Sequence, residues 1–242
     1  MHSLTLPVAS GLMALTAAVN LLAYALGQPN ASGTSRMIPW LQRSTSGLLA
    51  LAAWTLVGLG SAGRATAPYA LWVAVGMSLS FVADLIMAEA IKVPNRVLGG
   101  MAVFGLAHSA YLAGLLGLNG ALALDAGRHM LGWAAMLLLI ALVYWRLAVD
   151  TPQAARPLRL GALGYLALLA AMTGVAWGVV SRAPHLWSLG AGAGCFFLSD
   201  AILGNQIFRQ HNWPGVGDVV WLTYIVGQAG IVWSAYPALL MG

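Results

Sequence analysis

Two aspartates lie inside long apolar stretches, Asp84 within GMSLSFVADLI (76–86) and Asp200 within GAGCFFLSDAI (192–202). Both stretches read G-x-x-x-x-F-x-x-D-x-I, with the acid at the same place. A carboxylate inside a membrane span costs roughly 2.5 to 3.5 kcal/mol on insertion scales, so it turns toward a bundle interior or a wet cavity and marks a functional site by default. Two of them point to a paired-carboxylate centre. Like charges held close together in a low-dielectric pocket favour one shared proton, so one acid can stay protonated and act as a donor while its partner stays ionised.

Other polar residues fall within the apolar stretches: Asn20, Thr45, Ser46, His108, Tyr111, Ser199, Tyr224 and Gln228. For each alone the plain reading is an interhelical hydrogen bond, worth about 0.6 kcal/mol on average in membrane bundles. For Tyr111 and Gln228 that reading weighs as much as direct chemistry. A zinc hydrolase wants about three protein ligands, but His108 is the one histidine well inside a span, while His2, His129, His185 and His211 lie near ends or loops. No metal or other cofactor is expected. A serine nucleophile needs a neighbouring base, no G-x-S-x-G elbow occurs, and Ser199 and Asp200, adjacent on a helix, point different ways.

The elements that must position these groups follow from composition. Hydrophobic residues make up 60% of the chain and charged residues 7%, with a mean hydropathy of +0.83, against about 25% charged residues in a soluble domain. Apolar stretches of near 20 residues, long enough for a hydrocarbon core of about 30 Å, are expected at 6–26, 44–61, 68–88, 96–118, 129–148, 158–180, 185–208 and 218–239. The fold class is therefore all-α: a polytopic transmembrane bundle of about eight helices forming a single integral membrane domain over 1–242. Glycine, proline and polar punctuation such as GQPNASGTSR, KVPNR and DTPQAARP separates the spans, and the short breaks make neighbours antiparallel. Trp40, Trp72, Trp133, Trp145, Trp187, Trp213 and Trp233 fall near span ends, where the headgroup layer suits an indole; Trp54 is the exception. The first span lacks the basic start and cleavage site of a signal peptide and is expected to be retained. The single Cys195 leaves no intrachain disulfide.

The formal charge of +5 does not point to nucleic acid, because the basic residues are scattered over membrane-edge loops. Arg64, Arg128 and Arg182 lie in even-numbered loops, whereas Arg36, Arg43, Lys92, Arg96, Arg146, Arg156, Arg159 and Arg209 lie in or beside odd-numbered ones. Positive-inside counting places the second set in the cytoplasm and both termini outside. In that orientation Asp84, Asp200, Tyr224, Gln228, Asn20, Thr45 and Ser46 occupy overlapping depths toward the cytoplasm, with His108 and Tyr111 somewhat deeper. The third and seventh spans run the same way, which suits a parallel repeat about an axis along the membrane normal; a general glycine and phenylalanine bias of membrane helices is the competing explanation.

The segments SFVADLIMA, FGLAHSAYLAG, CFFLSDAILG and LTYIVGQAGI, in this order and spacing, resemble the YhhN-like lysoplasmalogenase family of eight-helix membrane proteins. There a helix carrying G-D is followed by an F-x-x-x-H-x-x-Y helix, an F-x-x-S-D helix and a T-Y-x-x-x-Q helix. Ala83 stands where the family has glycine, and QRSTSG at 42–47 is a loose counterpart of its K-P-x-x-T segment, with Arg43 in the lysine's place. The resemblance implies functional roles for Asp84, His108, Tyr111, Ser199, Asp200, Tyr224 and Gln228. It also implies an activity, hydrolysis of the vinyl ether bond of a lysoplasmalogen to a fatty aldehyde and a glycerophospho-alcohol. The expected partners are a lysophospholipid substrate and the bilayer, and the expected location is a bacterial inner (cell) membrane.

Vinyl ethers hydrolyse by protonation at the outer alkene carbon, so the site needs an acid and an anionic stabiliser. The two aspartates would supply both, with His108 holding water or relaying a proton and Tyr111, Tyr224 and Gln228 orienting the carboxyls or glycerol oxygens. Asn20, Thr45, Ser46 and Ser199 are expected to bridge helices or tune the site. Two other classes remain open at this point. A proton-coupled transporter would use the same acids as relays with a water path to both sides, and a structural or lipid-binding protein would tolerate their loss.

Overall fold

The computed structural model describes residues 2–60 and 63–242, without the side chains of 2–5 and 59–60. With no water in the hydrocarbon core, backbone polar groups must be satisfied inside each segment, and the described residues answer with helices throughout. These are α1 (His2–Leu26), α2 (Pro39–Gly60), α3 (Ala67–Met87), α4 (Arg96–Ala121), α5 (Gly127–Tyr144), α6 (Arg156–Arg182), α7 (Trp187–Arg209) and α8 (Val216–Met241). A π turn, Trp145–Val149, ends α5, and a 3-10 turn, Pro184–Leu186, leads into α7. The eight expected spans correspond to these eight helices; the expected end of the second, at residue 61, lies outside the described residues.

Seven of the helices are long and apolar enough to cross a membrane, and the chain is an integral membrane protein. The eighth, α2, starts at Pro39 rather than at 44, because the polar run Gln42 to Ser46 forms helix: Thr45 and Ser46 return their hydroxyls to the carbonyls of Gln42 and Arg43, at 2.6 and 3.1 Å. Local chemistry sets the other ends. The Asn95 side chain caps α4 by accepting from the amides of Val97 and Leu98, each at 3.1 Å. Gln210, with φ 54°, closes α7 in the left-handed conformation. Trp54 faces lipid in mid-span, and its indole donates across to the Ser78 hydroxyl at 3.0 Å.

The packing repeats. Within the first four helices α1 packs on α2, α2 on α3 and α3 on α4; within the last four, α5 packs on α6, α6 on α7 and α7 on α8. Between the halves α2 packs on α8, as α6 packs on α4. The offset that carries Asp84 onto Asp200 also carries Gly76 onto Gly192 and Tyr111 onto Gly227. Gly76 lies against the Tyr111 ring, and a side chain there would overlap it. A Cβ on Gly192 would fall 2.6 Å from the Gly227 carbonyl oxygen. The glycine of the shared pattern is thus the point where the aspartate helix meets the next helix of its own half, twice over.

One cross-contact departs from the symmetry. α3 packs closely on α8, but the equivalent pair, α7 and α4, stands apart around a cavity.

Candidate active site

Six acidic residues occur in the chain, and their partners sort them. Glu89 pairs with Arg96 at 3.2 Å, and Asp150 is held by Arg146 and by Arg159, the latter at 2.7 Å. Asp125 is exposed in a loop. Asp218, buried at the start of α8, accepts from the Ser35 hydroxyl at 2.7 Å and from the amides of Arg36 and Met37 at 2.9 and 3.1 Å, which stitches the first loop to the last helix. Asp84 and Asp200 remain, inside the bundle and, among the described residues, without a cationic partner.

Each of these two carboxyls is held by a tyrosine of its own, and neither hydrogen-bonds the other. Asp84, on α3, is buried and accepts from the Tyr224 hydroxyl of α8 at 2.8 Å. Gln228, one turn further along α8, lies with its amide 3.4 Å from the Tyr224 oxygen and accepts from the Tyr111 hydroxyl at 2.8 Å. Three helices therefore converge on Asp84 through a continuous hydrogen-bond chain.

Asp200, on α7, accepts instead from the hydroxyl of Tyr165 on α6. The same hydroxyl lies 3.1 Å from Nε2 of His108 on α4. With the tyrosine proton on Asp200, Nε2 must carry the imidazole hydrogen, which leaves Nδ1 as an acceptor. That atom is buried and, among the described residues, has no hydrogen-bond partner. The two arms meet through aromatic rings: Phe196 lies 4.9 Å from the His108 ring and 5.2 Å from the Tyr224 ring between centroids, and Phe104 closes the cluster at 5.9 Å from Tyr224.

The repeat explains how the arms are built. His108 on α4 and Tyr224 on α8 occupy equivalent positions, and each serves the aspartate of the opposite half. Tyr224 reaches Asp84 directly because α8 packs on α3. His108 does not hydrogen-bond Asp200 directly; the Tyr165 hydroxyl lies between them.

That cavity is about 60 Å³, room for a few waters and well below the roughly 300 to 1,000 Å³ of a drug-sized ligand site. Asp200, Tyr165 and Tyr144 are its polar lining; Met101, Phe104, Ala162 and Phe208 are among its apolar side chains. It extends from Asp200 toward the end of α7, a distance of about 13 Å for the nine residues to Arg209 at ~1.5 Å each. Asp84 does not line it.

Of the residues singled out in the sequence, Asp84, Tyr224, Gln228 and Tyr111 form one arm, and Asp200 and His108 belong to the other. Ser199 lies outside both, its hydroxyl donating 2.8 Å to the Val220 carbonyl and tying α7 to α8. Asn20 is also set back, accepting at 3.1 Å from the indole of Trp221, whose ring lies 5.2 Å from Tyr224. Sequence reasoning missed Tyr165 and Tyr144. Tyr165 could have been found as a tyrosine nine residues inside α6, away from the interfacial belt where its hydroxyl would meet water.

No curated protein and no solved structure matches the chain. The model of the YhhN family matches residues 37–235, from the start of α2 into α8, and spans both aspartates with every member of the two arms. The chain belongs to the YhhN family.

Proposed function

We propose that this protein hydrolyses the vinyl ether bond of lysoplasmalogens, with Asp200 as the acid that meets the alkene. The observation that carries the reading is the asymmetry of the two carboxyls: Asp200 opens onto an apolar-walled cavity, while Asp84 is sealed by Tyr224. In this scheme the protonated Asp200 gives its proton to the outer alkene carbon, and positive charge develops on the inner carbon and the ether oxygen. The Asp84 carboxyl, fixed by Tyr224, presents its oxygens toward that charge in a low-dielectric interior. Water adds to the inner carbon and returns a proton to Asp200, giving a hemiacetal. Cleavage of its carbon–glycerol oxygen bond releases the fatty aldehyde and leaves a hydroxyl on the glycerol. Tyr165 and His108 orient Asp200. With the arginine-rich loops in the cytoplasm, the cavity opens toward the inner leaflet of the cell membrane.

The decisive assay incubates the detergent-solubilised protein with 1-alkenyl, 1-alkyl and 1-acyl lysophospholipids, with and without a chelator. Aldehyde release from the alkenyl lipid alone, unaffected by the chelator, is the expected result. Rapid ester cleavage, or loss of activity on metal removal, would assign a different enzyme. Absence of turnover on all three would leave a transporter or lipid-binding protein.

A further inference from the structure

A groove on the outer face of the bundle runs between α4 and α6, from Leu98 and Leu160 near the helix starts to Ser109 and Leu168 deeper in the bilayer. Eleven residues separate Leu98 from Ser109, about 16 Å at ~1.5 Å per residue, and the groove encloses about 370 Å³. Its rim is apolar and open, with Leu106 58% and Leu160 52% exposed.

Two observations commit it to one occupant. The first is adjacency: Met101 and Tyr165 form a wall shared by this groove and the cavity of Asp200, and Tyr165 is the residue that holds the Asp200 carboxyl. The second is charge. Arg156 precedes Leu160 by four residues and so lies on the same face of α6, exposed at the interfacial end and, among the described residues, without an ion-pair partner.

We propose that the groove between α4 and α6 binds the hydrocarbon chain of a single-chain phospholipid, its phosphate at Arg156 and its ether end turned inward past Met101 toward Asp200. This rests on the vinyl ether reading above. It supplies what the cavity lacks, since about 60 Å³ holds the reacting atoms but not a fatty chain. A chain already resting in the leaflet would need to move only sideways to present its ether.

The test uses the full-length protein and a 16-carbon 1-alkyl lysophosphocholine, which cannot be turned over, so binding is read apart from chemistry. A Cβ on Gly164, in the groove, would meet nothing within 4 Å, so Gly164→Leu starts its side chain in open groove space. Gly132→Leu, equally open on the lipid side of α5, is the control. Gly164→Leu should weaken binding of the alkyl lipid at least tenfold, and Gly132→Leu should leave it unchanged. Arg156→Gln should weaken binding of the lysophosphocholine about fivefold or more but not that of the phosphate-free 1-alkylglycerol. In turnover, Gly164→Leu should lower kcat/KM for a 16-carbon alkenyl lipid while sparing a four-carbon one.

Parental affinity in Gly164→Leu, or no measurable binding by the parent, overturns the groove. Weakened binding in Gly164→Leu by a protein that releases no aldehyde would keep the groove and overturn the hydrolase.

Discussion

Changing Tyr165 to phenylalanine removes one oxygen, which donates to Asp200 and lies 3.1 Å from His108 Nε2. The ring stays, tilted 44° to the imidazole with 5.3 Å between centroids. Interhelical hydrogen bonds in membrane bundles average about 0.6 kcal/mol and reach about 1.7, so losing these two should cost stability on the order of 1 to 2 kcal/mol. The chemical step loses more. A hydrogen bond to a charged group is worth about 1.5 to 3 kcal/mol, and each ~1.36 kcal/mol is tenfold in rate. Tyr165→Phe should therefore lower kcat for aldehyde release by about 10- to 150-fold, with KM within about threefold of the parent. The comparison is Tyr224→Phe, which strips the matching hydroxyl from Asp84, outside the cavity; its kcat should fall less than about tenfold. Kinetics on monodisperse protein, with thermal unfolding in the same detergent, separate the terms. A kcat for Tyr165→Phe within threefold of the parent would reduce Tyr165 to a structural strut, and a larger loss in Tyr224→Phe would move the acid to Asp84.

Asp200→Asn and Asp84→Asn should each abolish aldehyde release while eluting as folded protein, because the amide keeps the shape but cannot exchange the proton or hold the charge. Parental turnover in both would make the carboxyls structural. Asp218→Asn should do the reverse, lowering stability by about 1 to 3 kcal/mol through its stranded donors while turnover per folded molecule is kept; unchanged thermal unfolding would show that the stitch between the first loop and α8 contributes little.

The helices were legible because hydropathy in a bilayer admits few other solutions, and the eight expected spans correspond to the eight helices of the structure. The aspartates stood out for the same reason: burying a carboxylate in a span is costly enough to be informative. Tyr165 did not stand out, because a tyrosine is half apolar and carries no such penalty. Its depth inside α6 is its one local signature; its role depends on which face of α6 meets α7, a tertiary fact. Asp218 was likewise unmarked, since a carboxylate at a helix start reads as ordinary dipole complementarity, and its partners come from a loop more than 180 residues away. The duplicated pattern identified two equivalent acids. Their difference arises only between the halves, where α3 closes on α8 and α7 does not close on α4.

That single open contact is the feature on which the proposed chemistry depends, and filling it tests the idea. Ala162 of α6 is buried and lines the cavity, so Ala162→Leu places three further carbons into about 60 Å³. A cavity penalty of about 24 cal/mol per Å³ sets the largest gain from removing the void near 1.4 kcal/mol, less whatever strain the new side chain introduces. Such a protein should unfold at the parental temperature or above it, because its empty space has been replaced by packing. Asp200 would then be sealed as Asp84 is, and aldehyde release should fall at least tenfold, a loss of function with no loss of fold. Ala162→Val, a smaller plug, should fall between the two. If Ala162→Leu folds with parental stability and turns over at the parental rate, the cavity is not where the ether is cleaved, and the asymmetry between the two aspartates carries no catalytic meaning.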